Sequence, residues 1–203
     1  KPAGLPAQDD KTGDPSAHRM AMAYAHRDLY IIHRLDRRVS GVLLFAKTKQ
    51  AAASLSTQWQ DHSITKIYLG IVPEADIPAK GELVHYLTYD AHKNMTYAHT
   101  EPIAGADEAR MTYEVVQHLD HFMLLRIQLI TGRKHQIRAQ LGAYGLPLRG
   151  DIKYGSKRTN PDGTIDLHAY KLQFKHPSRG TDMILTAPLP EEGLWAHIDK
   201  TKL

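Results

Sequence analysis

The chain has 203 residues, with 26 Lys or Arg against 22 Asp or Glu and thirteen histidines, for a formal net charge of +4. It is long enough for one domain with a buried core, and its charge balance favours anionic partners without naming one. With no cysteine at all it can hold no disulfide, thiolate metal site or thiol nucleophile, and its longest apolar runs, such as residues 41–46, are far too short to span a bilayer.

The opening KPAGLPAQ lacks the charged and apolar regions of a signal peptide and reads as a chain that has lost an upstream strand. Residues 9–19, DDKTGDPSAHR, mix charge with Gly and Pro and predict a mobile loop. Tyr30-Ile31-Ile32 and the run from Val42 to Ala46 have the character of buried strands. Between Lys49 and Gln60, Ala52, Leu55 and Trp59 fall at helical spacing and predict an amphipathic helix packed on a sheet. Ile67, Leu69 and Ile71 follow the two-residue period of a strand. Residues 73–108 are broken by Pro and Gly, with LVHYLTY and MTYAH as candidate edge strands. Met111 to Gln117 and Phe122 to Leu129, joined by HLDH, predict a hairpin. A helix is expected from Lys134 to Ala143, where Ile137 and Leu141 form an i,i+4 apolar pair; Gly132 would permit the turn into it and Gly145 would cap it. LHAYKLQF and MILTAP, on either side of KHPSRGT, complete the strands. The expected class is α+β, a mixed and mostly antiparallel sheet with flanking helices, in one domain over residues 1–203.

Two segments carry candidate chemistry. In HRLDRRVSG, residues 33–41, the one carboxylate is Asp36, with Arg34 before it and Arg37 and Arg38 after it. Neighbouring positive charge favours the ionised form of a carboxylate, which suits a nucleophile or base rather than a general acid, with the arginines free to hold an anionic substrate. The same residues equally describe a structural Asp in an ion pair or turn. From Arg126 to Arg158 there are eight Lys or Arg against one acid, Asp151, and TGRKHQIRAQ sits where a helix is expected to start. Exposed amides at a helix start favour phosphate; a solvated basic helix face is the alternative.

Together, HRLDRRVSGVLLFAK, KIYLGIV and LITGRKHQIRAQLGAYGLPLRGDIKYG resemble the successive motifs of the RluA-type pseudouridine synthases, in that family's order. KPAGLPAQ and LHAYKLQFKHP also match its pattern, so the resemblance covers nearly the whole chain. It implies an enzyme that isomerises uridine in structured RNA, ribosomal or transfer, without a cofactor or a metal. By the same resemblance Asp36 is the catalytic nucleophile, Tyr68 the tyrosine that packs against the base, and Arg138 the basic partner of Asp36. Arg34 would fill the space left by the extracted nucleotide. Arg37, Arg133, Lys134, His135 and Gln136 would contact the RNA, and Ile137 would pack near the uracil, although core packing explains Ile137 equally well. The chain departs from the family where Val39 replaces a usual Thr before Ser40-Gly41, a change the turn should survive, and where Lys134 replaces a small hydroxyl residue. The family's optional S4-type domain is not expected within residues 1–203. Asp151 is expected to stabilise its loop.

Other chemistries fit less well. The histidines are scattered without a ligand framework, no GxxxxGK[ST] loop is present for phosphoryl transfer, and a glycosidase would want two nearby acids. The rival from another class is a catalytically silent RNA-binding protein on the same scaffold; it would be marked by loss of Asp36, Tyr68 or Arg138, and all three are present. The expectation is therefore a monomeric, cytoplasmic RNA-modifying enzyme with no membrane association.

Overall fold

All residues, 1–203, are described by a computed structural model. Three α-helices precede, in turn, runs of three, five and two strands along the chain, which is the α+β class expected. They fall into two compact units, residues 1–66 with 169–189 and residues 67–168 with 190–203.

In the first unit the polar segment after residue 9 does not stay a loop to residue 19. Helix α1 (Ala17–Ala25) begins inside it, because the Ser16 hydroxyl accepts from the Arg19 amide at 3.2 Å and donates to Asp9 at 2.7 Å. Such a side-chain acceptor satisfies one of the unpaired amides of a helix start. No residue of α1 is fully buried, although Ala17, Ala21 and Ala25 are half-buried along one face; its start was hidden by the polar, Gly- and Pro-bearing segment that precedes it. Strand β1 (Tyr30–Ile31) follows.

The apolar run 42–46, read as one strand, is divided. Ser40–Gly41 (β2) pairs with β9 (Leu167–Lys175), while Phe45–Ala46 (β3) pairs antiparallel with β1. The cause is Gly41. Its φ is +123°, and a Cβ there would stand 2.2 Å from the Ala169 carbonyl oxygen, so only glycine lets the backbone come this close. The Val42 amide then donates to Ala169 O at 2.8 Å, and the next residues turn away toward β1.

Helix α2 (Lys49–Gln60) has the predicted bounds and is capped by Thr48, whose hydroxyl accepts from the Ala51 amide at 3.1 Å. Leu55 packs in a core with Ala46, Ile64, Leu172 and Phe174, bordered by Trp59. The Gln58 side chain clamps the end of β9, donating to Lys175 O at 3.0 Å and accepting from Lys175 N at 2.9 Å. Strand β10 (Asp182–Thr186) pairs antiparallel with β9 in full register.

The second unit is built on β4 (Thr65–Pro73), β5 (Lys80–Asp90), β6 (Met95–His99), β7 (Asp107–His118) and β8 (Phe122–Leu129), in the order β4-β8-β7-β5-β6. LVHYLTY is not an edge strand as expected. It lies inside β5, which pairs antiparallel with β7 on one side and β6 on the other; which neighbours a strand finds is a tertiary matter that its own residues do not state. The β7–β8 hairpin is as predicted, with a register shift between Val115 and Gln117. Met111, Leu124, Ile127, Leu141 and Leu148 are fully buried and form the core.

Helix α3 (Gln136–Ala143) starts two residues later than expected, after His135, whose φ is +52°. Gly132 is not in the left-handed region, so His135 and not that glycine makes the turn. At the other end Gly145, at φ +83°, caps the helix, with Leu146 N bonded to Leu141 O at 2.9 Å and Gly145 N to Gly142 O at 3.2 Å. This is the pairing that satisfies the last carbonyls of a helix. The tail after residue 190 is strapped down. Gln117 bonds His197 O at 3.0 Å and Asp199 N at 2.8 Å, Arg126 bonds Lys202 O at 2.9 Å, and the buried Trp195 donates to Asp166 at 3.2 Å. No helix is long and apolar enough to cross a membrane.

Candidate active site

The sequence-derived residues fall into two groups. Arg34, Asp36 and Arg37 belong to the first unit; Tyr68 and residues 133–138 belong to the second.

In the first unit Asp36 opens a tight turn, its carbonyl accepting from the Val39 amide at 3.1 Å, with Arg37 and Arg38 at the corner. Leu35 and Val39, 6% and 2% exposed, anchor the two ends. Asp36 between them is half-buried, and Arg34, Arg37 and Arg38 are exposed. Valine in place of the usual threonine has left the turn intact.

Two residues outside the predicted set hold this segment. The Nε2 of His33 accepts from the Leu44 amide at 3.0 Å, and its ring stacks on Trp59 at 4.4 Å and 22°. Burial, aided by the nearby Lys66 charge, pushes His33 down to about 4, so it is neutral near pH 7, as accepting an N–H requires. Lys1 threads its ammonium among the carbonyls of Leu5 (2.7 Å), Pro2 (3.0 Å) and Arg37 (3.2 Å). Burial lowers it to about 8, while the charge of Asp36 acts in the opposite direction. A positive group thus stands within electrostatic reach of Asp36. Neither role could be read from spacing: His33 needed the position of Leu44 and Trp59, and Lys1 the fold of the segment around it.

The placement of Arg37 differs from that of its neighbours. Its guanidinium is taken up by Gly4 O at 2.9 Å, Thr12 Oγ1 at 3.0 Å and the Asp14 carboxylate, and so it ties down the loop over residues 9–15.

In the second unit Tyr68 lies on β4, half-buried, between the inward-facing runs of that strand. Arg138, 6% exposed, points within α3 toward Asp151, donating from Nε at 2.7 Å and from Nη2 at 2.9 Å. Asp151 is fully buried. Such two-pronged pairing fixes the plane of a guanidinium as well as its position. Asp151 also stabilises its own loop, as expected, since its carbonyl accepts from Tyr154 N at 3.0 Å and Ser156 N at 3.1 Å. Tyr154 lies under Arg138, the guanidinium carbon 4.8 Å from its ring centre.

The remaining predicted residues are dispersed around the entrance to α3. Arg133 and Lys134 are exposed. Arg133 pairs with Asp107 at 3.4 Å, and Lys134 stands over the Tyr89 ring at 4.0 Å while bonding its hydroxyl. His135 shares a 2.8 Å hydrogen bond with the Tyr154 hydroxyl. Gln136 faces inward, 2% exposed, and stitches the helix entrance together. It accepts from Thr131 Oγ1 at 2.8 Å and from Arg133 N at 2.9 Å, and donates to Arg110 O at 3.1 Å. Ile137 is buried at 4% and packs in the core.

A family model described as RNA pseudouridylate synthase matches residues 1–143. A Synechocystis protein called an uncharacterized RNA pseudouridine synthase is 31% identical over 204 residues, covering 95% of this chain and 69% of its own length. A Nitrosomonas europaea protein called ribosomal large subunit pseudouridine synthase D is 35% identical over 175 residues, covering 80% of this chain and 48% of its own. The chain thus spans from about half to about two thirds of these relatives. Among solved structures, human RNA pseudouridylate synthase domain containing 1 superimposes with a TM-score of 0.75 at 21% identity, over 93% of this chain and 77% of that one, a likeness of fold.

Proposed function

This chain belongs to the RNA pseudouridylate synthase family, of the RluA type, and from that premise we propose that it isomerises uridine in RNA to pseudouridine. The N1–C1′ bond breaks, the uracil rotates, a C5–C1′ bond forms, the C5 proton is released to water and N1 takes up a proton in its place. The observation that carries the reading is the Asp36 turn: a half-buried carboxylate held between two buried anchors and flanked by exposed Arg34 and Arg38, on a chain that matches the family over residues 1–143.

Asp36 acts as the nucleophile or base, and every route to the isomer needs it ionised. The reagent is negative and the substrate polyanionic, which is the reason to surround the one with guanidinium groups that hold the other. Tyr68 packs against the base and Arg138 aims the carboxylate of Asp36. A uridine in structured RNA must leave its stack, at a cost of about a few kcal/mol, and Arg34 fills the gap it leaves. Arg133 and Lys134 contact phosphate. Both units serve as one catalytic domain. Ribosomal RNA is the first substrate to offer, because relatives are named for the large ribosomal subunit, and their bacterial sources support a cytoplasmic setting.

The test uses ribosomal and transfer RNA labelled with tritium at uridine C5. Wild type should release label to water and Asp36→Ala should not. Binding of RNA by wild type without release from any RNA class would instead favour a silent binding protein.

A further inference from the structure

Tyr154 is buried, 8% exposed, yet its three faces touch three different elements. Its ring lies under the Arg138 guanidinium at 4.8 Å. Its hydroxyl accepts from the Thr96 amide on β6 at 2.9 Å and shares a 2.8 Å hydrogen bond with Nδ1 of His135, the residue that turns the chain into α3. Its backbone is pressed against the helix: a Cβ at Gly142 would stand 2.6 Å from the Tyr154 carbonyl oxygen. The same hairpin is held a second time from this side. Thr96 Oγ1 donates to Lys134 O at 2.9 Å, and Lys153 Nζ donates to the turn carbonyls of Lys93 and Asn94 at 2.9 and 2.8 Å.

We propose that Tyr154 is a positioning residue that sets the plane of Arg138 through its ring and couples it, through its hydroxyl, to the β5–β6 hairpin and to His135. The inference rests on the reading in which Arg138 acts on Asp36. Asp151 grips one edge of the guanidinium and Tyr154 supports its face, so the two together leave it no freedom to tilt. A load on the cations beside the hairpin end, exposed Lys93 and Lys134 and half-buried Lys153, reaches Arg138 through a short run of contacts: Lys134 O to Thr96 and Thr96 N to the Tyr154 hydroxyl by hydrogen bonds, and Tyr154 ring to Arg138 by stacking. RNA phosphate is the load that such cations attract. RNA engaged by the hairpin would thereby hold the catalytic arginine in line.

The ring and the hydroxyl have separate tasks, and two substitutions divide them. Tyr154→Phe keeps the support under Arg138 and releases Thr96 and His135. In the tritium assay its kcat should stay within threefold of wild type while KM rises about fivefold, the scale of one net hydrogen bond. Tyr154→Leu removes both, and kcat should fall by about tenfold or more. A second readout does not depend on turnover. The Nε–H of Arg138, donated to buried Asp151 and lying over an aromatic ring, gives a distinct side-chain NMR resonance; it should keep its position in Tyr154→Phe and move in Tyr154→Leu. Equal losses of kcat in the two variants, or an Arg138 resonance that stays in place in Tyr154→Leu, would overturn the inference. If Tyr154→Leu does not fold, Tyr154→Phe decides alone: a KM equal to that of wild type, or an Arg138 resonance displaced although the ring remains, overturns it. Wild type that releases no label refutes the reaction itself and the kinetic half of this inference, while the resonance still decides whether Tyr154 holds Arg138.

Discussion

Replacing Gly41 with alanine should loosen the strand junction on which the Asp36 turn depends. The new Cβ would lie 2.2 Å from Ala169 O and 2.5 Å from Ala169 N, against a comfortable separation of about 3.5 Å or more, so β2 and β9 must part by more than about 1 Å. That movement breaks the 2.8 Å bond from Val42 N to Ala169 O, worth about 1 kcal/mol net. A side chain at φ +123° adds strain of about 1–3 kcal/mol. The expected loss is thus about 3 kcal/mol, which for a chain of this length lowers the melting temperature by about 6–12 °C. Urea and thermal unfolding of wild type and Gly41→Ala measure it. Because the clash is with the backbone of residue 169, Ala169→Gly should not rescue the variant. A Gly41→Ala protein within about 0.5 kcal/mol of wild type, or full rescue by Ala169→Gly, would refute the steric account.

Other expectations follow from the same structure. Asp36→Ala should abolish tritium release and leave RNA affinity within a few fold, since affinity comes mainly from phosphate contacts; filter binding beside the release assay checks both. Asp151→Ala strands a buried guanidinium, so it should cost about 3–5 kcal/mol in urea unfolding and depress turnover. His33 titrates near 6.5 when unfolded and near 4 when folded. The unfolded chain therefore takes up its proton first, and stability should fall as pH drops from 6.5 through 4, by up to about 3 kcal/mol; this part of the slope should vanish in His33→Asn. Arg38→Ala should weaken RNA binding and flatten its salt dependence more than Arg37→Ala, whose guanidinium is already bound to Asp14 and Thr12. Arg37→Ala should instead speed proteolysis within residues 9–15.

What the sequence discloses depends on whether a signal is local. Helix α2 was legible because Leu55 and Trp59 face the core and the other faces are polar, and the β7–β8 hairpin because both of its strands and its turn are contiguous. Helix α1 was not, since its first turn lies in a polar, Gly- and Pro-bearing segment that reads as a loop and its inner face is only half-buried. The break at residues 42–46 was hidden because its cause is Ala169, a residue far along the chain. The same division runs through the candidate site. Asp36 could be singled out from the charges beside it, and Tyr68 and Arg138 from their motifs. That Arg138 is gripped by Asp151 and supported by Tyr154, and that His33 is neutral and stacked, required the fold that brings them together. Gln136 carried a binding motif's letter but faces inward, because Thr131, Arg133 and Arg110 offer it three hydrogen bonds at the helix entrance.

The division of the chain into two discontinuous units bears on how it is made. Residues 1–66 leave the ribosome well before residues 169–189, which alone complete their unit, where β9 receives β2 and is clamped by Gln58 across 117 residues. Synthesis at about 5–20 residues per second leaves the segment bearing Asp36 waiting several seconds for its other half. Pairings of such long separation also form slowly once both ends are present. The Asp36 turn should therefore be acquired late, after the more local hairpins of the second unit, so that a nascent or truncated chain ending before residue 169 holds ordered strands but no formed Asp36 turn.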